Sequence, residues 1–197
     1  MMWLLDPGHG VNTPGKRSPD GAFEEWAFNR YIARLVMGEL PALGYFFACI
    51  VPEDEDVPLV ERVRRVNNYC KMHGKENVAL ISIHANAAGD GSKWMSAQGW
   101  SAYTSKGHTG SDELAECMYD GIESAIPERR IRKDMSDGDR DWEENFYVLK
   151  KTLCRAVLLE NYFYDNEDEC RFLLTEDARE RIARGIVAGI IRFEERK

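Results

Sequence analysis

Histidine is scarce in this sequence, with four among 197 residues, so the position of each one carries weight. Positive charge is also in deficit: 26 lysines and arginines face 34 aspartates and glutamates, a formal net charge of −8. That balance argues against the basic face that a nucleic-acid partner needs. The five cysteines, Cys49, Cys70, Cys117, Cys154 and Cys170, are odd in number and show no CxxC spacing. Neither a complete disulfide framework nor a cysteine zinc knot is expected from them. No run of about 20 apolar residues is present, so a membrane span is not expected either. The start of the chain passes from Trp3-Leu4-Leu5 directly into the polar Asp6-Pro7-Gly8-His9-Gly10. This leaves no room for the basic and apolar regions of an export leader. Internal repeats and low-complexity tracts are absent from the sequence, which speaks against a solenoid or a long linker.

What is present is enough apolar material, 44% of the residues, for one catalytic domain spanning 1–197. Trp3-Leu4-Leu5 reads as a short buried strand, and residues 11–21 as a long loop rich in Pro, Gly, Asn and Ser. Phe28, Ile32, Leu35 and Val36 recur at helical spacing before Gly44. Residues 45–51 suit a strand, and Glu53-Asp54-Glu55-Asp56 a solvated turn, since it lacks the alternating spacing and central glycine of a calcium loop. Val60, Val63, Val66 and Cys70 mark a second helix, with His73 in its last turn and Gly74 after it. Residues 78–83 read as a buried strand that ends at His84. A strand over 99–103, a helix over 112–126, a buried strand at 157–159 and a closing helix over 176–193 follow. The charged segment 127–144 is expected to be an exposed excursion beside the site. The order predicts an α/β fold in a single domain, a twisted mixed β-sheet flanked by helices on both faces.

Three residues are candidates for a metal site: His9 in the loop after the first strand, Glu25 at the start of the first helix, and His84 at the end of a buried strand. Ligands of open α/β sheets gather beyond the carboxyl ends of the strands, where both histidines fall. Two imidazoles and one carboxylate form a known catalytic zinc set with a fourth position for water. Glu160 also follows a buried strand, so it can reach the same edge as a general base. Each has a plainer reading alone: His9 as a turn residue, Glu25 as a solvated helix charge, Glu160 as the partner of an arginine.

The ordered set Leu5-Asp6-Pro7-Gly8-His9-Gly10, Glu25 with Asn29, Ser82-Ile83-His84-Ala85-Asn86, and Leu158-Leu159-Glu160-Asn161 with Asp165-Asn166 resembles the successive motifs of the zinc amidases of type 3. Leu59, Arg62 and Asn67 resemble the helix that precedes the second histidine in that family, and the likeness runs from Trp3 to about Leu174. The resemblance implies that His9, Glu25 and His84 bind one Zn²⁺ per chain and that Glu160 is the catalytic carboxylate. Glu24 is adjacent, and the spacing to Asn29 favours Glu25. It further implies an N-acetylmuramoyl-L-alanine amidase acting on bacterial peptidoglycan, either a phage-type enzyme released on lysis or an exported one. A zinc peptidase acting on the stem peptide and a non-catalytic wall-binding module are the alternatives. No HExxH is present to support the first, and the general base Glu160 is superfluous in the second. Asp6 is expected to orient a zinc histidine. His108 is a candidate for a loop over the site, and Trp94, Trp100 and Trp142 for sugar stacking.

Overall fold

The computed structural model describes residues 1–196. Strand β1 (Met2–Pro7) is parallel both to β2 (Phe46–Cys49) and to β3 (Val78–Asn86). β3 in turn pairs in parallel with β6 (Arg155–Phe163), beyond which lie β4 (Ser101–Thr104), antiparallel to β6, and the two-residue β5 (Trp142–Glu143). The resulting mixed sheet has the order β2-β1-β3-β6-β4-β5.

Both faces of the sheet are covered, which is why its inner strands read as apolar runs and not as alternation. Helices α1 (Glu25–Glu39), α3 (Gly110–Ala125) and α6 (Glu176–Glu195) pack on one face. The odd-numbered side chains Trp3, Leu5, Ile81, Ile83, Val157 and Leu159 point into that larger core. Helices α2 (Leu59–His73) and α4 (Tyr147–Lys151) cover the other face, over Leu4, Val78, Leu80, Ala156 and Leu158. Each such side chain, fully buried, contributes ~1.5–3 kcal/mol relative to exposure. Helix α5 (Glu167–Leu173) closes the end of β6, capped by Asn166, whose side-chain oxygen accepts from the Glu169 N–H.

Several expectations are refined here. Val60, one of the residues that mark α2 in the sequence, is 66% exposed in the helix's first turn, while Val63, Val66 and Cys70 are buried. The acidic run is not merely solvated. Glu53 pairs with Arg65 and, through its carbonyl, with Arg30, while Asp56 pairs with Arg62 and accepts from Thr13. The run therefore fastens the first loop to α1 and α2. The 127–144 excursion is pinned to the sheet by β5 and by a bridge between Trp100 and Ile131, and to α3 by Arg140. No helix of the described residues is long and apolar enough to cross a membrane.

Candidate metal centre and cleft

Strand alternation places the candidate residues. On β3 the side chains of Leu80, Ser82 and His84 share one face, and Asp6 and Glu160 continue the same face on the neighbouring strands. The register pairs Asp6 with Ser82 and His84 with Glu160. The apolar stripe over α2 thus turns polar as the parallel strands reach their carboxyl ends, the edge where α/β sheets bind ligands.

His9 arrives from the loop after β1 with φ 60°, a left-handed conformation uncommon for a residue other than glycine. Its neighbours explain why glycine flanks it. A Cβ on Gly8 would lie 2.1 Å from the His84 ring, and one on Gly10 would lie 2.0 Å from the Asp56 nitrogen. The loop can therefore press against His84 on one side and the acidic run on the other only without those side chains. Arg62 holds the loop from below. Its buried guanidinium donates to the carbonyls of Val57, Pro7 and His9 and pairs with Asp6 at 2.6 Å and Asp56 at 2.9 Å. Asp6 is thereby committed to Arg62 and to the Ser82 hydroxyl at 2.8 Å. The sequence reading expects Asp6 to orient a histidine ring; Asp6 instead reaches His9 only through Arg62, which donates to the His9 carbonyl.

Glu25 opens α1 and reaches across to both rings, being 1% exposed. Its Oε1 lies 3.1 Å from His84 Nδ1 and 3.4 Å from His9 Nε2. It also accepts from the Ala85 N–H at 3.2 Å. Asn29, one turn on, donates to the Gly8 carbonyl and to Glu25, which explains the four-residue spacing. Glu24 is exposed and points elsewhere, accepting from the Trp26 indole N–H. Burial alone would raise the Glu25 pKa, but the hydrogen bonds and charges of His84 and His9 hold it well below the usual carboxylate range. His84 moves the other way: burial would lower its pKa, and Glu25 outweighs that and raises it.

These donors fit a divalent ion such as zinc. One atom from each of His9, Glu25 and His84 lies within 4.8 Å of the others. Ligand atoms around a tetrahedral zinc with bonds of ~2.0–2.1 Å stand about 3.4 Å apart, and the separations of 3.1 and 3.4 Å agree. Glu25 Oε2 is also buried with no hydrogen-bond partner, a state that leaves a carboxylate oxygen to an ion.

Glu160 stands beside this set without joining its contacts. Its Oε2 is buried and unpartnered. Burial pushes its pKa up to about 8, against the pull of His84 and with the help of Glu25. Asn161, next along β6, bonds the His84 carbonyl and the Trp100 indole, and Asp165 accepts the Ala88 and Gly89 N–H groups at 2.8 Å each. Both residues fix the end of β3 from the β6 side.

Two clefts meet at His9, His84 and Glu160. One, of about 470 Å³, has an apolar wall of Val57, Pro58, Leu59, Phe146 and Tyr147. The other, of about 310 Å³, is polar, with Lys16, Asn86 and Asp90. Phe146, Tyr147 and Lys16 are residues that sequence reasoning missed, because a single aromatic pair and a loop lysine carry no periodic signal. The excursion expected beside the site lines neither cleft; the wall comes from the residues just after it. His108 and the three tryptophans also lie outside both clefts. Trp100 is fully buried, and Trp142 lies under the Arg132 guanidinium.

Comparison with known proteins agrees with this geometry. The family described as N-acetylmuramoyl-L-alanine amidase matches residues 4–192. The N-acetylmuramoyl-L-alanine amidase AmiC of Neisseria meningitidis serogroup B is 27% identical over 222 residues, covering 96% of this chain and 52% of that protein. The endolysin of Bacillus phage SPP1 is 28% identical, covering 96% of this chain and 64% of that protein. The chain thus spans about half to two thirds of the length of these relatives. The crystal structure of an N-acetylmuramoyl-L-alanine amidase from Clostridium difficile 630 superposes with a TM-score of 0.84 at 27% identity, covering 100% of this chain and 97% of that one.

Proposed function

The chain belongs to the N-acetylmuramoyl-L-alanine amidase family, and from that membership we propose that residues 1–197 act as one zinc-dependent catalytic unit that hydrolyses the amide between N-acetylmuramic acid and L-alanine in peptidoglycan. The observation that carries the reading is Glu25 Oε1 lying between His84 Nδ1 and His9 Nε2, with the unpartnered Glu160 carboxylate alongside. His9, Glu25 and His84 hold the ion, and Glu160 handles the proton. When bound, zinc supplies a Lewis acid that polarises the scissile carbonyl and acidifies the attacking water.

The protein's own groups supply the rest. Glu160 takes the proton from the attacking water on its free carboxylate oxygen and returns it to the alanine nitrogen, which leaves poorly as an unprotonated amine. A carboxyl raised toward neutrality by burial is suited to both halves of that transfer. The two clefts meeting at Glu160 leave room for substrate on both sides of the bond. Peptidoglycan lies outside the cytoplasm, so the chain reaches it by export, as a bacterial amidase does, or by lysis-dependent release, as a phage endolysin does.

Metal analysis combined with digestion of purified peptidoglycan tests the reading. New L-alanine amino termini with intact glycan and zinc in the cleft are expected. Released amino acids would instead indicate a peptidase, and binding without products a wall-binding module.

A further inference from the structure

A second cluster of potential ligands lies where the turn after β4 meets the segment before β5. His108 Nδ1 is 3.9 Å from Asp112 Oδ2 and 3.8 Å from Asp139 Oδ2. One atom from each of the three lies within 4.8 Å of the others. Asp112 is held in place in the first turn of α3, where it also accepts the Thr109 N–H at 2.7 Å.

Asp141 adds an independent observation. It is 1% exposed, and its carboxyl lies within hydrogen-bonding reach of that of Asp139. Thr104 donates to Asp141 Oδ2 at 2.6 Å, while Asp141 Oδ1 and Asp139 Oδ1 are both buried without a hydrogen-bond partner. Arg140 sits between the two aspartates in sequence but turns to Glu116, Asp120 and Glu123 of α3. It therefore neutralises that helix and not the aspartate pair. Buried carboxylate oxygens that face each other without a donor need a proton or a cation between them. The His108 imidazole nitrogen beside Asp139 offers a lone pair and so favours a metal ion.

We propose that His108, Asp112 and Asp139, with the buried Asp141 carboxyl against Asp139, form a second divalent-metal site, separate from the cleft at His84. One imidazole with several carboxylate oxygens suits a transition ion of the manganese-to-zinc group, whereas calcium prefers an all-oxygen shell. None of the four residues lines either cleft at His84. An ion here clamps the 105–110 turn and the 134–141 segment onto the start of α3. The chain then runs through β5 to Phe146 and Tyr147, so the clamp steadies the element that carries the apolar wall of the cleft.

The test is zinc titration of the chelator-stripped full chain, with bound metal measured after dialysis. Wild type is expected to hold two equivalents. Asp139→Asn should hold one, and His108→Ala should bind the second at least ten-fold more weakly. His9→Ala should lose the cleft equivalent and keep this one, which separates failure here from failure of the amidase reading. His108 has a side chain 77% exposed, so its replacement does not put folding at risk. A single equivalent in wild type, as expected if the aspartates merely share a proton, overturns the proposal. A second equivalent that persists unchanged in both Asp139→Asn and His108→Ala overturns it too.

Discussion

Glu24 and Glu25 show how much one position decides. Glu24 is the extended residue just before α1 and Glu25 the first residue within it, and the pair divides accordingly, one toward solvent beside Trp26 and the other between two imidazoles. Glu25→Ala is expected to lose the cleft zinc while Glu24→Ala keeps it, with metal content as the readout; the reverse pattern would move the ligand. Glu160→Gln keeps nearly the same volume but cannot accept a proton. It should retain fold and zinc and lose about 10² to 10⁴ in turnover on peptidoglycan. Metal loss as complete as in His84→Ala would make Glu160 a ligand, and near-normal turnover would remove it from the mechanism. The positions of His9, Glu25, His84 and Glu160 were legible in the sequence because His84 and Glu160 follow apolar runs, His9 lies in the polar loop after one, and Glu25 opens an amphipathic helix. Arg62 was legible only by resemblance. Its role depends on backbone carbonyls of residues 7, 9 and 57, and backbone acceptors leave no mark on residue type.

At the scale of elements, β1, β3, β6 and α6 were readable because burial on both faces, or a full apolar stripe, leaves a long composition signal. The short elements were not. β5 has two residues and α4 five, too few for any period to show. α5 carries a usable mark in Asn166, an N-cap side chain three residues before Glu169. Helix packing also depends on what is missing. α3 and α6 cross where Gly121 faces Gly185 and Gly189, and a Cβ on Gly121 would lie 2.2 Å from the Gly185 carbonyl oxygen. The obstacle is backbone, so the helices must separate to admit a methyl group. Gly121→Ala should cost about 3 kcal/mol, the upper part of the overpacking range, in denaturant unfolding. The cleft, built on other elements, should keep its zinc.

For the molecule as a whole, stability depends on pH through buried carboxyls remote from the cleft. Glu169 is pushed by burial from an ordinary 4.5 to about 7, although the Phe163 and Gly99 N–H groups favour its charged form. Its folded pKa lies above the unfolded one, so the folded chain binds the extra proton between those values. Its contribution is therefore full below pH about 4.5 and is lost as pH rises through about 7. Unfolding free energies at pH 5 and pH 8 should differ by ~1–3 kcal/mol more in wild type than in Glu169→Gln; equal differences would show that Glu169 titrates normally. The strand order has a consequence for synthesis on the ribosome. A nascent chain that has just released β3 already carries His9, Glu25 and His84, yet β6, which pairs with β3 on one side and β4 on the other, begins only at Arg155. Non-local parallel pairing forms slowly and only once both strands exist. Proteolytic capacity of the cell therefore confronts a sheet-incomplete intermediate, and His9, Glu25, His84 and Glu160 can come together only after residues 155–163 have been synthesised.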